Sequence, residues 1–361
     1  MTVPTAQRHW DRRPPGYPPT DHIVAFEEAI GAAFGMPHAI AVSHGTAALH
    51  CALLACGIGP GDEVLVPAAC VVMSAAPVLY CHARPVFVDC ASDGMSMDRA
   101  DLEAKITSRA KAIMAVDLWG RCGEMAWLSE FAAARGLQLI EDACQAHGTL
   151  SAGKAAGSWG DAGTLSLHHA KLIECGEGGI ILTTSDAIAQ HCRAVRTHWQ
   201  VPPAGQAPMS SLGYNYRLAE PLAELAAASL ARFPQTLARR KAHTAMLTAA
   251  LGGLPGFTIP AQPPGQDWNQ YSPLFRLTLA RPREFCEHLD RCGVPNSTGT
   301  FKLVACDQRP LFAPYAPLRP CTTAAAMIDA MLAIALTNRV TDDQVARYAK
   351  IITAEARRWT T

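Results

Sequence analysis

The chain has 361 residues, 49% of them hydrophobic and 17% charged, which is enough apolar content for two cored lobes and argues against extended disorder. Lys plus Arg number 31 and Asp plus Glu number 31, so no net field draws the chain to nucleic acid or to an anionic membrane. No apolar run reaches the roughly 20 residues that a membrane-spanning helix needs, and Arg12-Arg13 and Arg239-Arg240-Lys241 are too short to serve as binding tracts.

Thirteen cysteines occur without a CxxC pair, and residues 1–20 are polar and proline-rich where a signal peptide would stand. Both features predict a reduced, cytoplasmic protein. Thirteen histidines include no HExxH or Cys/His finger spacing, so no metal site is expected.

Along the chain, Phe26, Ile30 and Phe34 recur at four-residue steps and predict an amphipathic helix over 22–34, closed by Gly35. A strand at 39–42, a helix at 46–56 and a strand at 63–66 follow, the last ended by Pro67. The alternation continues with strands at 85–88, 112–116 and 137–140 and helices at 98–106 and 125–135, which predicts a mostly parallel sheet covered by helices. Two apolar runs, 163–167 and 179–183, are close enough to pair as a hairpin-like or mixed unit, and a helix follows over 186–196. The Ala- and Leu-rich stretch 218–251 reads as a helical spine interrupted at Pro221 and Pro234. Beyond it, a strand at 274–279 and helices at 282–292, 322–335 and 341–356 predict a smaller α+β lobe.

In open α/β sheets ligands bind beyond the carboxyl ends of the strands. Ser43-His44-Gly45-Thr46 lies between a strand and a helix, where unpaired amides and the positive helix end can cradle a phosphate; taken alone it reads first as an ordinary Ser or Thr N-cap. Asp142 ends the strand Leu137–Glu141, where its carboxylate can pair with a protonated pyridine nitrogen or cap a following helix. Lys171 follows the strand bearing Ser166 and precedes Gly176-Glu177-Gly178-Gly179. A lysine in a partly dry cleft can lose its proton, attack an aldehyde and shuttle protons between carbons, whereas a loop lysine is ordinarily a surface group.

The order of these segments carries more than any one of them. Gly45-Thr46-Ala47-Ala48-Leu49, Pro60-Gly61-Asp62-Glu63-Val64, Pro85-Val86-Phe87-Val88-Asp89, Glu141-Asp142, Gln145-Ala146-His147-Gly148, Gly176-Glu177-Gly178-Gly179 and Gly213-Tyr214-Asn215-Tyr216-Arg217 together closely resemble the DegT-type sugar and aminocyclitol aminotransferase family, densely over 22–230 and loosely beyond. The resemblance implies a fold-type I pyridoxal-phosphate enzyme, with an N-terminal arm and large cofactor-binding domain over 1–235 and a small C-terminal domain over 236–361. It also implies a homodimer with shared active sites. By position, Lys171 is the Schiff-base lysine and Asp142 the partner of the pyridine nitrogen, the two catalytic residues. Gln145 lies beside the ring hydroxyl, Gly45, Thr46 and Ser166 bind the phosphate, and Asn215 reaches the phosphate held by the neighbouring subunit. The implied reaction is a ping-pong transfer of an amino group from an amino acid, glutamate or glutamine, to a cyclic ketone.

Lys171-Leu172 and the following Cys175-Gly176 resemble the branch acting on aminocyclitols and related carbocycles in secondary-metabolite and antibiotic biosynthesis, rather than the branch acting on nucleotide-linked sugars. Three positions depart from the family pattern. Val71 offers the cofactor an aliphatic face where an aromatic ring is usual, His44 replaces a small residue, and Asp117 stands where histidine is common. The alternatives are therefore another pyridoxal-phosphate reaction on the same fold, such as elimination or a specialised biosynthetic step, and a non-catalytic regulator that keeps the cofactor. The family's sugar dehydratases carry histidine in place of the lysine, and Lys171 is present here.

Overall fold

The computed structural model describes residues 22–359 apart from 93, 95 and 318. The proline-rich residues 1–20, with Arg12-Arg13 and the expected N-terminal arm, lie outside the described residues. The first half alternates as anticipated. Strands β1 (His38–Val42), β2 (Glu63–Pro67), β3 (Arg84–Val88), β4 (Ala110–Val116), β5 (Gln138–Asp142), β6 (Leu150–Ser151), β7 (Lys154–Ala155), β8 (Ala162–Ser166) and β9 (Gly179–Thr183) are interleaved with helices. These are α1 (His22–Ala33), α2 (Gly45–Ala55), α3 (Val72–Tyr80), α4 (Arg99–Lys105), α5 (Met125–Ala134) and α6 (Asp186–Arg196).

Seven strands form one sheet in the order β1-β9-β8-β5-β4-β2-β3. The pairs β2–β3, β2–β4, β4–β5 and β5–β8 are parallel, while β9 runs antiparallel to both β8 and β1. The two apolar runs 163–167 and 179–183 thus do pair as neighbouring antiparallel strands.

Successive side chains on a strand point to opposite faces, and here they divide two cores. Ile40, Val42, Val64, Val66, Ala112, Met114, Ile140 and Ile181 pack on one face with residues of α2, α3 and α6. Ala39, Ala41, Leu65, Ile113, Ala115, Leu139, Ile180 and Leu182 pack on the other with residues of α1 and α5. Both faces are covered, which is why the strands read as continuous apolar runs.

The spine is two helices, α7 (Glu220–Ala231) and α8 (Phe233–Leu251). The break between them falls just before Pro234, as expected, and Pro221 marks the start of α7: each proline sits in the first turn of its helix, where its missing N–H has no partner to lose. After α8 come β10 (Phe257–Thr258), β11 (Gln266–Asp267), β12 (Leu274–Leu277), α9 (Pro282–Arg291), α10 (Thr322–Asp329), β13 (Met331–Ala333) and α11 (Asp342–Trp359). A three-stranded sheet, β10-β12-β13, packs with α8, α9 and α11 around a third core that includes Leu247, Phe275, Phe285, Leu332 and Ile352.

Two expectations fail in identifiable ways. The helix expected over 322–335 ends at Asp329, because Met331–Ala333 pairs with Leu274–Arg276, and the sheet overrides an alanine-rich helical propensity. Helix α3 has no counterpart in the sequence reading, since Val71-Val72 and the internal Pro77 mask its period.

Candidate active site

The carboxyl ends of β4, β5 and β8 meet the start of β9 along one sheet edge. Val116 pairs with Asp142, Asp142 with Thr164, Ser166 with Gly179, and Val42 with Gly179 from the other side. The turns that follow these strands bring the sequence candidates together.

Asp142 is buried at the end of β5. Ser74 Oγ donates to its Oδ2 at 2.6 Å, and the Cys144 N–H donates to its Oδ1 at 3.1 Å. The carboxylate therefore closes a turn and receives a hydroxyl from α3; it does not cap a following helix, as the alternative reading had it.

Lys171 sits in the turn after β8. Its N–H donates to the His168 carbonyl at 2.8 Å, and Asn338 Nδ2 donates to its carbonyl at 2.8 Å, so the backbone is clamped from both lobes. Nζ lies 3.4 Å from Tyr271 Oη and 4.9 Å from the centre of that ring. Burial pushes the lysine towards losing its proton, but Tyr271, Cys144 and Asp142 outweigh it, and the net direction is above the ordinary lysine range. This corrects the idea that a dry cleft alone frees the amine.

The N-cap of α2 is His44, in extended conformation and with no side-chain capping bond, so the ordinary Ser or Thr cap is absent. The first N–H groups of α2 form an uncapped positive end suited to an anion. A Cβ on Gly45 would stand 2.9 Å from Ser166 Cβ and 3.2 Å from Cys144 Sγ, which sets this helix end directly against Ser166. A Cβ on Gly179 would stand 2.3 Å from the His44 carbonyl oxygen, so the last glycine of Gly176-Glu177-Gly178-Gly179 is required for β9 to pass under the start of α2.

Gln145 is turned inward by the Trp119 N–H, which donates to Oε1 at 2.7 Å, while its own carbonyl accepts from Asn269 Nδ2 at 2.9 Å. Val71 is the N-cap of α3, three residues before Ser74, and is half-buried. Thr46 is half-buried in the first turn of α2. Asn215 is exposed, on a segment tied to the same edge by its neighbour Tyr216, whose carbonyl accepts from the Ser43 N–H at 2.7 Å. Sequence reasoning missed Ser74, Tyr271 and Asn338, which lie far from the motifs they serve. Cys144 was within reach, since it stands inside Glu141–Gln145.

A buried carboxylate for a ring nitrogen, a lysine beside it and an uncapped helix end with an adjacent hydroxyl match the three features of pyridoxal phosphate. Fold and site together define a fold-type I pyridoxal-phosphate-dependent enzyme architecture. The family model described as the DegT/DnrJ/EryC1/StrS aminotransferase family matches residues 19–353, and the chain belongs to that family. The GDP-perosamine synthase of Caulobacter vibrioides is 43% identical over 219 residues, which make up 61% of this chain and 59% of that protein. The match thus spans less than two thirds of that relative's length. Among solved structures, S. venezuelae DesV in complex with a ketimine intermediate superposes with a TM-score of 0.83 at 29% identity, covering 93% of this chain and 89% of that one. The 3-amino-5-hydroxybenzoic acid synthase superposes with a TM-score of 0.83 at 27% identity, covering 94% and 91%.

Two outcomes follow from this geometry. Ser74→Ala leaves Asp142 Oδ2 without its hydroxyl donor and should weaken cofactor binding about 10- to 100-fold, the cost of one hydrogen bond to a charged group. Titration of the apoprotein with pyridoxal phosphate checks this, and an unchanged affinity would contradict it. Tyr271→Phe removes a group that holds the Lys171 proton, so burial gains weight and the lysine's pKa falls. The pH profile of reductive methylation at Lys171 in the apoprotein, read by mass spectrometry, should shift to lower pH; a superimposable profile would rule out this role for Tyr271.

Proposed function

We propose that this chain is a pyridoxal-phosphate-dependent aminotransferase that moves an amino group from an amino acid, glutamate or glutamine, to a ketone on a sugar, cyclitol or related carbocycle in a biosynthetic pathway. The observation that carries the reading is the convergence of Lys171, Asp142 and the uncapped start of α2 beside Ser166 on one sheet edge. Bound pyridoxal phosphate supplies an electron sink for proton loss at the amino-bearing carbon.

The chain's own residues do the rest. Asp142, its orientation fixed by Ser74 and Cys144, would hold the pyridine nitrogen. The Gly45 and Thr46 amides and Ser166 Oγ would hold the phosphate, Gln145 would serve the ring hydroxyl, and Val71 would offer the ring an aliphatic face. Lys171 would hold the cofactor through its amine, and the same Nζ would accept and return the proton at the amino-bearing carbon. Asn215, exposed in the single chain, completes the phosphate site of a second copy, so the working unit is a homodimer. The same reading assigns 1–235 to the N-terminal arm and cofactor domain and 236–361 to the small domain, with α8 crossing the boundary. It also makes the protein cytoplasmic, in keeping with the family's small-molecule substrates.

An elimination or other specialised pyridoxal-phosphate step is the second reading, favoured by Val71 and Asp117 standing in place of the family's usual residues. Mixing the holoenzyme with single amino acids separates the two. On the main reading, glutamate or glutamine bleaches the visible absorbance of the bound cofactor and leaves the matching 2-oxo acid in solution. If no amino acid does so, transamination is excluded.

A further inference from the structure

Asp117 and Glu141 form a buried acid pair that the proposed chemistry leaves unused. Asp117 follows β4 and Glu141 precedes Asp142 in β5, and they are 1% and 0% exposed. With the Cys122 thiol, their ligand atoms all lie within 4.8 Å of one another. Glu141 Oε2 accepts the Trp159 N–H at 2.8 Å. Its Oε1 and both oxygens of Asp117 meet no donor among the described residues. Three acceptor atoms facing one another without a proton would each bear the full cost of desolvation.

We infer that Asp117 is a neutral carboxylic acid that donates its proton to Glu141, so that the two acids share a single negative charge beneath Asp142. One proton turns two mutually repelling acceptors into a donor and an acceptor, the arrangement that two carboxyls in a dry site adopt. Of the two, Glu141 keeps the charge, because the N–H groups of Trp159 and Gly157 stabilise its ionised form and Lys154 lies on its side. Asp117 has only the Cys122 thiol in that role. Burial first, then the charges of Glu141 and Asp142, push it well above the usual carboxylate range, with Cys122 a smaller opposing influence. Glu124 lines the same small cavity as Asp117, and its carboxylate is engaged by Arg99.

The pair acts on the site through the backbone. The Asp117 N–H donates to the Asp142 carbonyl at 3.0 Å, and Val116 is in register with Asp142. Asp117 is thus a positioning residue: its neutral side chain spares Asp142 a third adjacent charge while its backbone fixes the end of β5. This last step rests on Asp142 being the partner of the pyridine nitrogen. The shared proton does not.

Asp117→Asn tests the proton directly, because the amide is isosteric and donates to Glu141 without titrating. A carboxyl whose folded pKa is raised contributes stability that is fully present below the unfolded pKa and is lost as pH rises through the folded value. In the apoprotein, the unfolding equilibrium constant of the wild type relative to that of D117N should therefore grow as pH rises above the ordinary carboxylate range, by up to about tenfold per pH unit. The difference infrared spectrum, wild type minus D117N at neutral pH, should contain the carbonyl stretch of a protonated carboxyl. A ratio that is flat with pH, or a spectrum without that band, would overturn the proposal. So would a stoichiometric divalent metal in purified wild type that is lost in D117N, since a cation would then take the proton's place. None of these readings depends on the cofactor, so failure here is distinguishable from failure of the proposed activity.

Discussion

The site depends on one buried carboxylate held at the end of a central strand. Asp142 ends β5, which has parallel neighbours on both sides, so its position is set by two ladders rather than by a loop. Its two oxygens are then fixed by Ser74 from α3 and by the Cys144 N–H of the next turn. An acid in so dry a place is costly unless donors surround it, and the elements around it are arranged to supply them. Moving α3 would strip Asp142 of a hydroxyl, and slipping β5 by one residue would turn its side chain to the opposite face.

The second constraint is steric. The start of α2 is pressed between β8 and β9, close enough that Gly45 and Gly179 have no room for a Cβ. That closeness aligns a helix end, a serine hydroxyl and the lysine turn on one edge, and it explains why Gly179 of the motif after Lys171 must be glycine. The small lobe contributes from the other side: Asn338 clamps the Lys171 backbone and Tyr271 meets its amine. The lysine is therefore defined by both lobes at once.

Much of this was legible in the sequence, because the large lobe is built from local signals. Alternating apolar runs marked the strands, the short gap between 163–167 and 179–183 marked their antiparallel pairing, and Lys171, Asp142, Ser166 and Gly45 stood where strands end. What was not legible depends on contacts between distant segments. Tyr271 is 100 positions from Lys171 and Ser74 is 68 from Asp142, and no periodicity connects them. Met331–Ala333 reads as helix in its alanine-rich context and becomes a strand only because β12 lies alongside it. Asp117 was visible as a departure from the family pattern, but its meaning required seeing it buried against Glu141.

The central claim, that one lysine between Asp142 and Tyr271 carries the cofactor, is tested most directly by reducing the holoenzyme with borohydride and mapping the labelled peptide. The account predicts a pyridoxyl group on Lys171 alone. Label on another of the chain's lysines, or no covalent label on a protein that binds the cofactor, would contradict it.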